Sequence, residues 1–246
     1  MRSEERTYRR WVESDLRTFG VHIAQSDLLI SAERPLPELA ERALRLARAR
    51  LQAYLLRDPE FEKALRPRDA LDGAPHIVLA MADAARACGV GPMAAVAGAV
   101  ADSVGEALLA ESRQVIVENG GDVFLHTARP RVAAVYAGES PLSGKLGLRV
   151  SRLDQRLGLC TSSGTVGPSL SFGKADAAIV LAGSAALADA AATALGNRVK
   201  TAADIEPALE AVRQIPGIYG LAAIIGEHLG AWGEMEFVRL SREVEE

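Results

Sequence analysis

Two stretches rich in alanine, about Pro75–Ala87 and Pro92–Ala110, are separated only by Cys88-Gly-Val-Gly91. Alanine is the best helix former, but an Ala-rich helix has few large side chains and gains burial only by approaching its neighbours closely. This pair is therefore expected at the centre of the fold. At 246 residues, 49% hydrophobic and 24% charged, the chain is ample for a buried core and is not disordered. Only 4% of its residues are aromatic and its net charge is −4. A sequence-blind nucleic-acid groove, which needs a positive field and stacking rings, is excluded on that basis.

The remaining patterning supports an α+β chain. Phe19-Gly-Val-His-Ile23 and Leu28-Leu-Ile30 predict a hairpin around Gln25-Ser26-Asp27. From Pro37 to Leu56 the period becomes 3.6, with Leu39, Ala43, Leu46, Ala47, Leu51 and Leu55 on one face. Arg42, Arg45, Arg48 and Arg50 lie mostly off that face, as a solvated stripe or an anion site. Asp58–Asp72 reads as a loop with a short helix.

Strands follow at Gln114–Val117, Val123–Thr127, Arg131–Tyr136, Leu146–Val150, Leu157–Cys160 and Ala177–Ala182, with a Gly/Ser/Thr loop at Thr161–Lys174. Helices are expected at Ala185–Leu195 and Asp204–Gln214, and Ile218–Ile225, His228–Trp232 and Glu234–Leu240 close the chain as a meander. Helices in blocks and strands in blocks indicate α+β rather than alternating βαβ, and the absence of a linker or repeat predicts one domain over residues 1–246.

Cys88 and Cys160 form neither a disulfide framework nor a CxxC site. The charged start, Met1-Arg2-Ser3-Glu4-Glu5-Arg6, leads into no apolar run, and no membrane-length apolar stretch occurs, so a cytoplasmic protein without a membrane partner is expected. His22, His76, His126 and His228 are scattered and give zinc no support.

Candidate chemistry falls in three places. Asn119-Gly120-Gly121-Asp122 lies between apolar runs; it reads as a positive-φ hairpin turn, or as glycines that bring N–H groups to a ligand with Asn119 and Asp122 as polar arms. Thr161-Ser162-Ser163-Gly164-Thr165 directly follows a strand and reads as a surface turn or as a cradle for phosphate or ribose. Gly167…Gly173-Lys174 has the wrong spacing for a P-loop, and no serine sits in a G-x-S-x-G elbow. Asp189 and Thr193, at i and i+4 among alanines, stack on one helix face; they pair locally or offer two hard oxygens suited to Mg²⁺.

These motifs, in this order, resemble the UPF0280 (DUF375) group of the ApbE superfamily, whose flavin transferases move FMN from FAD onto a protein threonine. The likeness covers about Pro92 to Ala194. Met93-Ala-Ala-Val-Ala97-Gly98-Ala-Val-Ala-Asp102 resembles the family's Gly-Gly-Ile-Ala-Lys-Gly helix start, and Glu118-Asn119-Gly120-Gly121-Asp122 its Asn-Ala-Gly-Gly-Asp hairpin. Thr161-Ser162-Ser163-Gly164 resembles its Thr-Ser-Gly loop, and Ala188-Asp189…Thr193-Ala194 its Ala-Asp-Ala-x-Ala-Thr-Ala helix.

The resemblance implies an ApbE-like fold of antiparallel sheets packed with Ala-rich helices. It implies Mg²⁺ on Asp189, Thr193 and the Ala97 carbonyl. It also implies FAD or a related nucleotide diphosphate along Gly98, Asn119, Gly120, Gly121, Asp122, Thr161, Ser162, Ser163, Gly164 and Thr165. The family's lysine is absent, with Gly98 near its place, and Ser171-Phe-Gly-Lys174-Ala-Asp176 replaces its His-x-x-Asp-Pro-x-Thr-Gly segment. Lys174 and Asp176 are the candidates to stand in for those groups, and no catalytic residue is identified.

Three functions are compatible with this reading. The first is a Mg²⁺-dependent FMN transferase or nucleotide pyrophosphatase with a protein acceptor. The second is a flavin- or nucleotide-binding module without turnover. The third is an oligomeric scaffold, such as a homodimer, in which the small residues serve packing. Few rings are available for an isoalloxazine, the candidates being Tyr8, Trp11 and Phe19.

Overall fold

The computed structural model describes residues 15–165 and 171–240. β1 (Arg17–Ile23) and β2 (Ser26–Ala32) form a hairpin, followed by α1 (Pro37–Arg57), α2 (Pro59–Lys63) and α3 (His76–Cys88). A 3-10 turn at Pro92–Ala95 leads into α4 (Val96–Leu108). The strands β3 (Val115–Asn119), β4 (Asp122–His126), β5 (Arg131–Ala134), β6 (Leu146–Val150), β7 (Leu157–Ser162) and β8 (Ala177–Ala182) precede α5 (Ala185–Gly196) and α6 (Ile205–Val212). The described chain ends with β9 (Ile218–Ile225), β10 (His228–Gly233) and β11 (Glu236–Arg239).

An eight-stranded sheet in the order β1-β2-β3-β4-β7-β8-β9-β10 divides two cores, and its neighbouring strands are antiparallel. A three-stranded sheet, β11-β6-β5, lies across one face. Along β8 the side chains alternate: Ala178, Val180 and Ala182 join the helical core, while Ala177, Ile179 and Leu181 join the core shared with the small sheet. β8 is therefore apolar throughout because it is covered on both faces, as alternating side-chain direction requires. This is the α+β architecture expected, with Ala-rich helices packed on antiparallel sheets.

Three local expectations are corrected. The first hairpin turns at Ala24-Gln25, with Ile23 opposite Ser26, and Ser26-Asp27 already belongs to β2; Ala24 takes the positive φ of 50° that so short a turn requires. On α1 the buried line is Ala40, Leu44, Ala47, Leu51 and Tyr54, whereas Leu46 is 51% exposed. Leu39, Ala43 and Leu55 pack only at its margin, because the neighbouring elements rather than the apolar count select the inward face.

The closing meander is broken. β11 leaves β10 and pairs with β6, placing Phe237 opposite Leu148, after Gly233 turns the chain at φ 75°.

Close approach is decisive at α5. A Cβ on Gly98 of α4 would stand 2.1 Å from the Ala185 carbonyl oxygen, and one on Gly158 of β7 would stand 2.2 Å from the Ser184 carbonyl oxygen. The first turn of α5 is thus wedged between two backbones that carry no side chain. Gly98→Ala and Gly158→Ala are each expected to lower unfolding stability by about 1–3 kcal/mol, read from denaturant melts. Unchanged midpoints would show that the wedge can relax.

Candidate functional site

The first N–H groups of a helix lack intrahelical acceptors and attract negative charge. Here α4 and α5 satisfy one another. Ala185 and Ala186 N–H donate to the two carboxylate oxygens of Asp102, both at 2.9 Å. In return Gly98 N–H donates to Asp189 Oδ2 at 2.9 Å. Ser184 completes the α5 terminus by accepting from Leu187 N–H at 3.2 Å. Each Ala-rich helix is therefore held at its start by an aspartate borrowed from the other.

The glycine turn meets this helix pair. β3 and β4 pair Asn119 with Asp122, leaving Gly120 and Gly121 as a two-residue turn at φ 72° and 110°. Asn119 is buried, and its Nδ2 donates to the Ala97 carbonyl at 3.0 Å. Asp122 lies opposite Cys160 of β7 in register. A Cβ on Gly121 would approach the Thr161 carbonyl at 3.8 Å, and one on Gly196 would approach Ser162 Oγ at 3.8 Å. Ala97, Gly98, Asn119, Gly120, Gly121, Asp122, Thr161, Ser162 and Asp189 thus converge from α4, β3, β4, β7 and α5. Thr193 is partly buried and stands one turn beyond Asp189.

Electrostatics make this an unusual place for two acids. Burial pushes the Asp189 carboxyl well above its ordinary range; the Asp122 charge adds to this, and hydrogen bonds from Gly98 and Ala97 oppose it. Burial likewise raises Asp122 to about 7, with repulsion from Glu118 adding and the Cys160 hydrogen bond opposing. Cys160 is kept a thiol by burial and then by the Asp122 charge, and its Sγ lies 3.4 Å from the Ala185 carbonyl. Two desolvated carboxylates that repel each other fit a cation placed against them. Among the described residues no three His, Cys, Asp or Glu side chains gather as a metal cluster. A cation here would use few carboxylates plus hydroxyl, carbonyl and water oxygen, which is the Mg²⁺ habit.

The rest of the hydroxyl loop is turned to other uses. Ser163 Oγ accepts from Thr165 N–H at 3.1 Å, and Thr165 Oγ donates to Asp176 at 3.1 Å. Gly164 N–H donates to the Ala175 carbonyl at 2.8 Å. Asp176 also accepts from Gly226 N–H at 2.7 Å, so it ties this loop to the β9–β10 turn rather than replacing a lost group. Lys174 is exposed. Phe19 packs against the helical core, and Tyr8 and Trp11 lie outside the described residues. The bare position beside Ala97 has a physical cause as well: the Ala185 carbonyl occupies the space a side chain on Gly98 would need.

Sequence reasoning missed Asp102 as a partner of the site, although a carboxylate within an Ala/Val run of a helix was the available signal. It also passed over Cys160, whose contact with Asp122 depends on strand register. A cleft of about 400 Å³ opens between α3 and α4 at the start of α5, lined in part by Ala80, Ala84, Ala99, Asp102, Ser103 and Leu187. It reaches Asp102 but none of the nine residues that converge on the glycine turn.

Comparison with known proteins bears on the whole chain. A family model described as "AbpE bacteria" matches residues 9–216. A UPF0280 protein of Methanocella arvoryzae is 40% identical over 220 residues, covering 89% of each chain. A UPF0280 protein of Methanosarcina acetivorans is 43% identical over 216 residues, covering 87% of this chain and 85% of its own. Among solved structures, the apo form of Pseudomonas stutzeri flavinyl transferase ApbE superposes with a TM-score of 0.60 at 15% identity, covering 91% of this chain and 95% of that one. The last comparison establishes the shared fold.

The raised carboxyls give stability a definite pH sign. Native Asp102 and Asp122, raised to about 6 and about 7, hold protons that the unfolded chain releases near 3.8. Their contribution is full below pH 4 and is lost as pH rises through the native values. Metal-free protein should lose about 5 kcal/mol of stability between pH 4.5 and 7.5 from this source, about 3 of it through Asp122, and Asp122→Asn should flatten the slope. Equal slopes in both proteins, measured by urea unfolding, would contradict the desolvation argument.

Proposed function

This chain belongs to the UPF0280 family, an ApbE-like family, and from that premise we propose that it binds Mg²⁺ and FAD or a related nucleotide diphosphate. On this reading it is a single ApbE-like domain, working in the cytoplasm, that passes FMN to a protein acceptor or cleaves the pyrophosphate. The observation that carries the reading is the Asp189 carboxylate. One oxygen accepts Gly98 N–H at 2.9 Å, burial and the Asp122 charge make its own charge costly, and Thr193 stands one turn away.

The residues fit a hard cation. Asp189, Thr193 and the Ala97 carbonyl would hold it, and Asn119 fixes that carbonyl through its 3.0 Å hydrogen bond. When bound, Mg²⁺ supplies positive charge to pyrophosphate oxygens and Lewis-acid assistance for displacement at phosphorus. Gly120 and Gly121 leave the turn bare, so a diphosphate can come close to backbone N–H groups there. Ser162 supplies a hydroxyl on the helical face at the end of β7; Thr161, opposite Ile179, alternates to the other face, and Ser163, Gly164 and Thr165 are engaged within their own loop and with Ala175 and Asp176. The charge of Asp122 acts on Asp189 and would strengthen the negative field that draws the cation in.

Isothermal titration with MgCl₂, then FAD, and chromatography of the products test this. Asp189→Ala should weaken Mg²⁺ binding by about 100-fold and Thr193→Val by about 10-fold, with the fold retained by circular dichroism. Wild-type Mg²⁺ and FAD affinity in Asp189→Ala would overturn the assignment. Retained affinity in the wild type without release of FMN or transfer to a threonine acceptor would leave a binding module.

A further inference from the structure

We infer that Asp102, outside the proposed cation site, is its positioning residue: by clamping the first turn of α5 to α4 it fixes where Asp189 meets the Ala97–Gly98 backbone. The inference rests on the reading of Asp189 as a cation ligand.

The geometry is a closed polar frame. Along α4, Gly98 and Asp102 are four residues apart, one turn. Along α5, Ala185 and Ala186 are one turn before Asp189. Asp102 accepts from the two α5 amides at 2.9 Å, and Asp189 accepts from Gly98 at 2.9 Å, so opposite corners are pinned. Between the pins the contact is smooth. Gly98 presents no side chain to the Ala185 carbonyl, and Ala185, Ala186 and Ala188 offer only methyl groups. Such a surface permits close approach but has no ridges deep enough to set register, so register falls to the hydrogen bonds. Asp189 Oδ2 accepts from Gly98 and the carboxylate also takes a hydrogen bond from Ala97, so this frame sets which way its remaining lone pairs point toward a cation. Releasing Asp102 frees α5 to slide and disturbs that orientation.

Asp102 also has its own route to water. It lies in the wall of the cleft between α3 and α4, away from the glycine turn. His76 and Asp83 face the cleft from α3, Glu106 from α4, and Arg156 from the segment before β7. Arg156 is paired with Glu106 at 2.6 Å, and Asp83 with Arg86 at 2.8 Å. Behind it, Asp189 and Cys160 both feel its charge. Burial raises the Asp102 carboxyl to about 6, against the pull of the two amides and Arg156 and with the push of Glu106. The clamped carboxyl is thus harder to ionise than a solvated one, so the clamp is favoured as pH falls through that value.

Amide hydrogen exchange on metal-free protein is the primary test, because it does not depend on cation binding. In Asp102→Asn, and in Asp102→Ser should Asn not fold, exchange should quicken about 10-fold at Ala185 and Ala186 and also at Gly98. Glu106→Gln, on the same cleft wall but outside the frame, should change neither. Faster exchange at Ala185 and Ala186 with Gly98 unmoved would overturn the inference.

Titration with MgCl₂ at pH 7.5 gives the second reading. Asp102→Asn should bind about 10-fold more weakly than the wild type. Wild-type affinity in Asp102→Asn would also overturn it. If the wild type binds no Mg²⁺, the proposed function fails and the exchange result alone decides the role of Asp102.

Discussion

The exchange of aspartates between α4 and α5 is the constraint on which the site depends. Helices made of alanine pack closely but hold poorly, since methyl groups interlock little. Two glycines bring the start of α5 against the backbones of α4 and β7, and two carboxylates then fix its position. Both features are needed: without the glycines the carboxylates could not reach, and without the carboxylates the smooth contact would have no preferred register. Everything placed around Asp189 inherits its precision from that contact.

The same closeness accounts for the electrostatics. Backbones this near one another exclude water, and the acids that pin them are desolvated in consequence. Asp102 and Asp189 each have helix amides as partial compensation, and Asp189 in addition feels the charge of Asp122. Desolvated acids that repel one another favour a positive charge beside them, and the proposed cation site rests on that.

The large sheet supplies the other half of the site. Because β8 is buried on both faces, its neighbour β7 is fixed in register, and Cys160, Thr161 and Ser162 are delivered beside the β3–β4 turn. The small sheet covers the opposite face and carries none of the residues of the proposed cation site. It allows the central strands to be apolar throughout and so to act as a rigid floor.

Much of this was legible in the residues. The helical period of α1, the block arrangement of helices and strands, and the limits of β6, β8 and β9 follow from local pattern, because each depends on side chains within a few positions. Asp189 and Thr193 could be paired for the same reason, four residues apart on one helix. The inward face of α1, the turn at Ala24-Gln25 and the departure of β11 could not be read this way, since distant neighbours select them.

The sequence by itself determined which elements form, and it marked the small residues as places of close approach. Only the tertiary structure decided what approaches there. Gly98 meets the Ala185 carbonyl, Asn119 holds Ala97, and Asp102 belongs with Asp189 although they are far apart in the chain. Those pairings depend on how helices cross and strands register, and a local pattern carries no information about either.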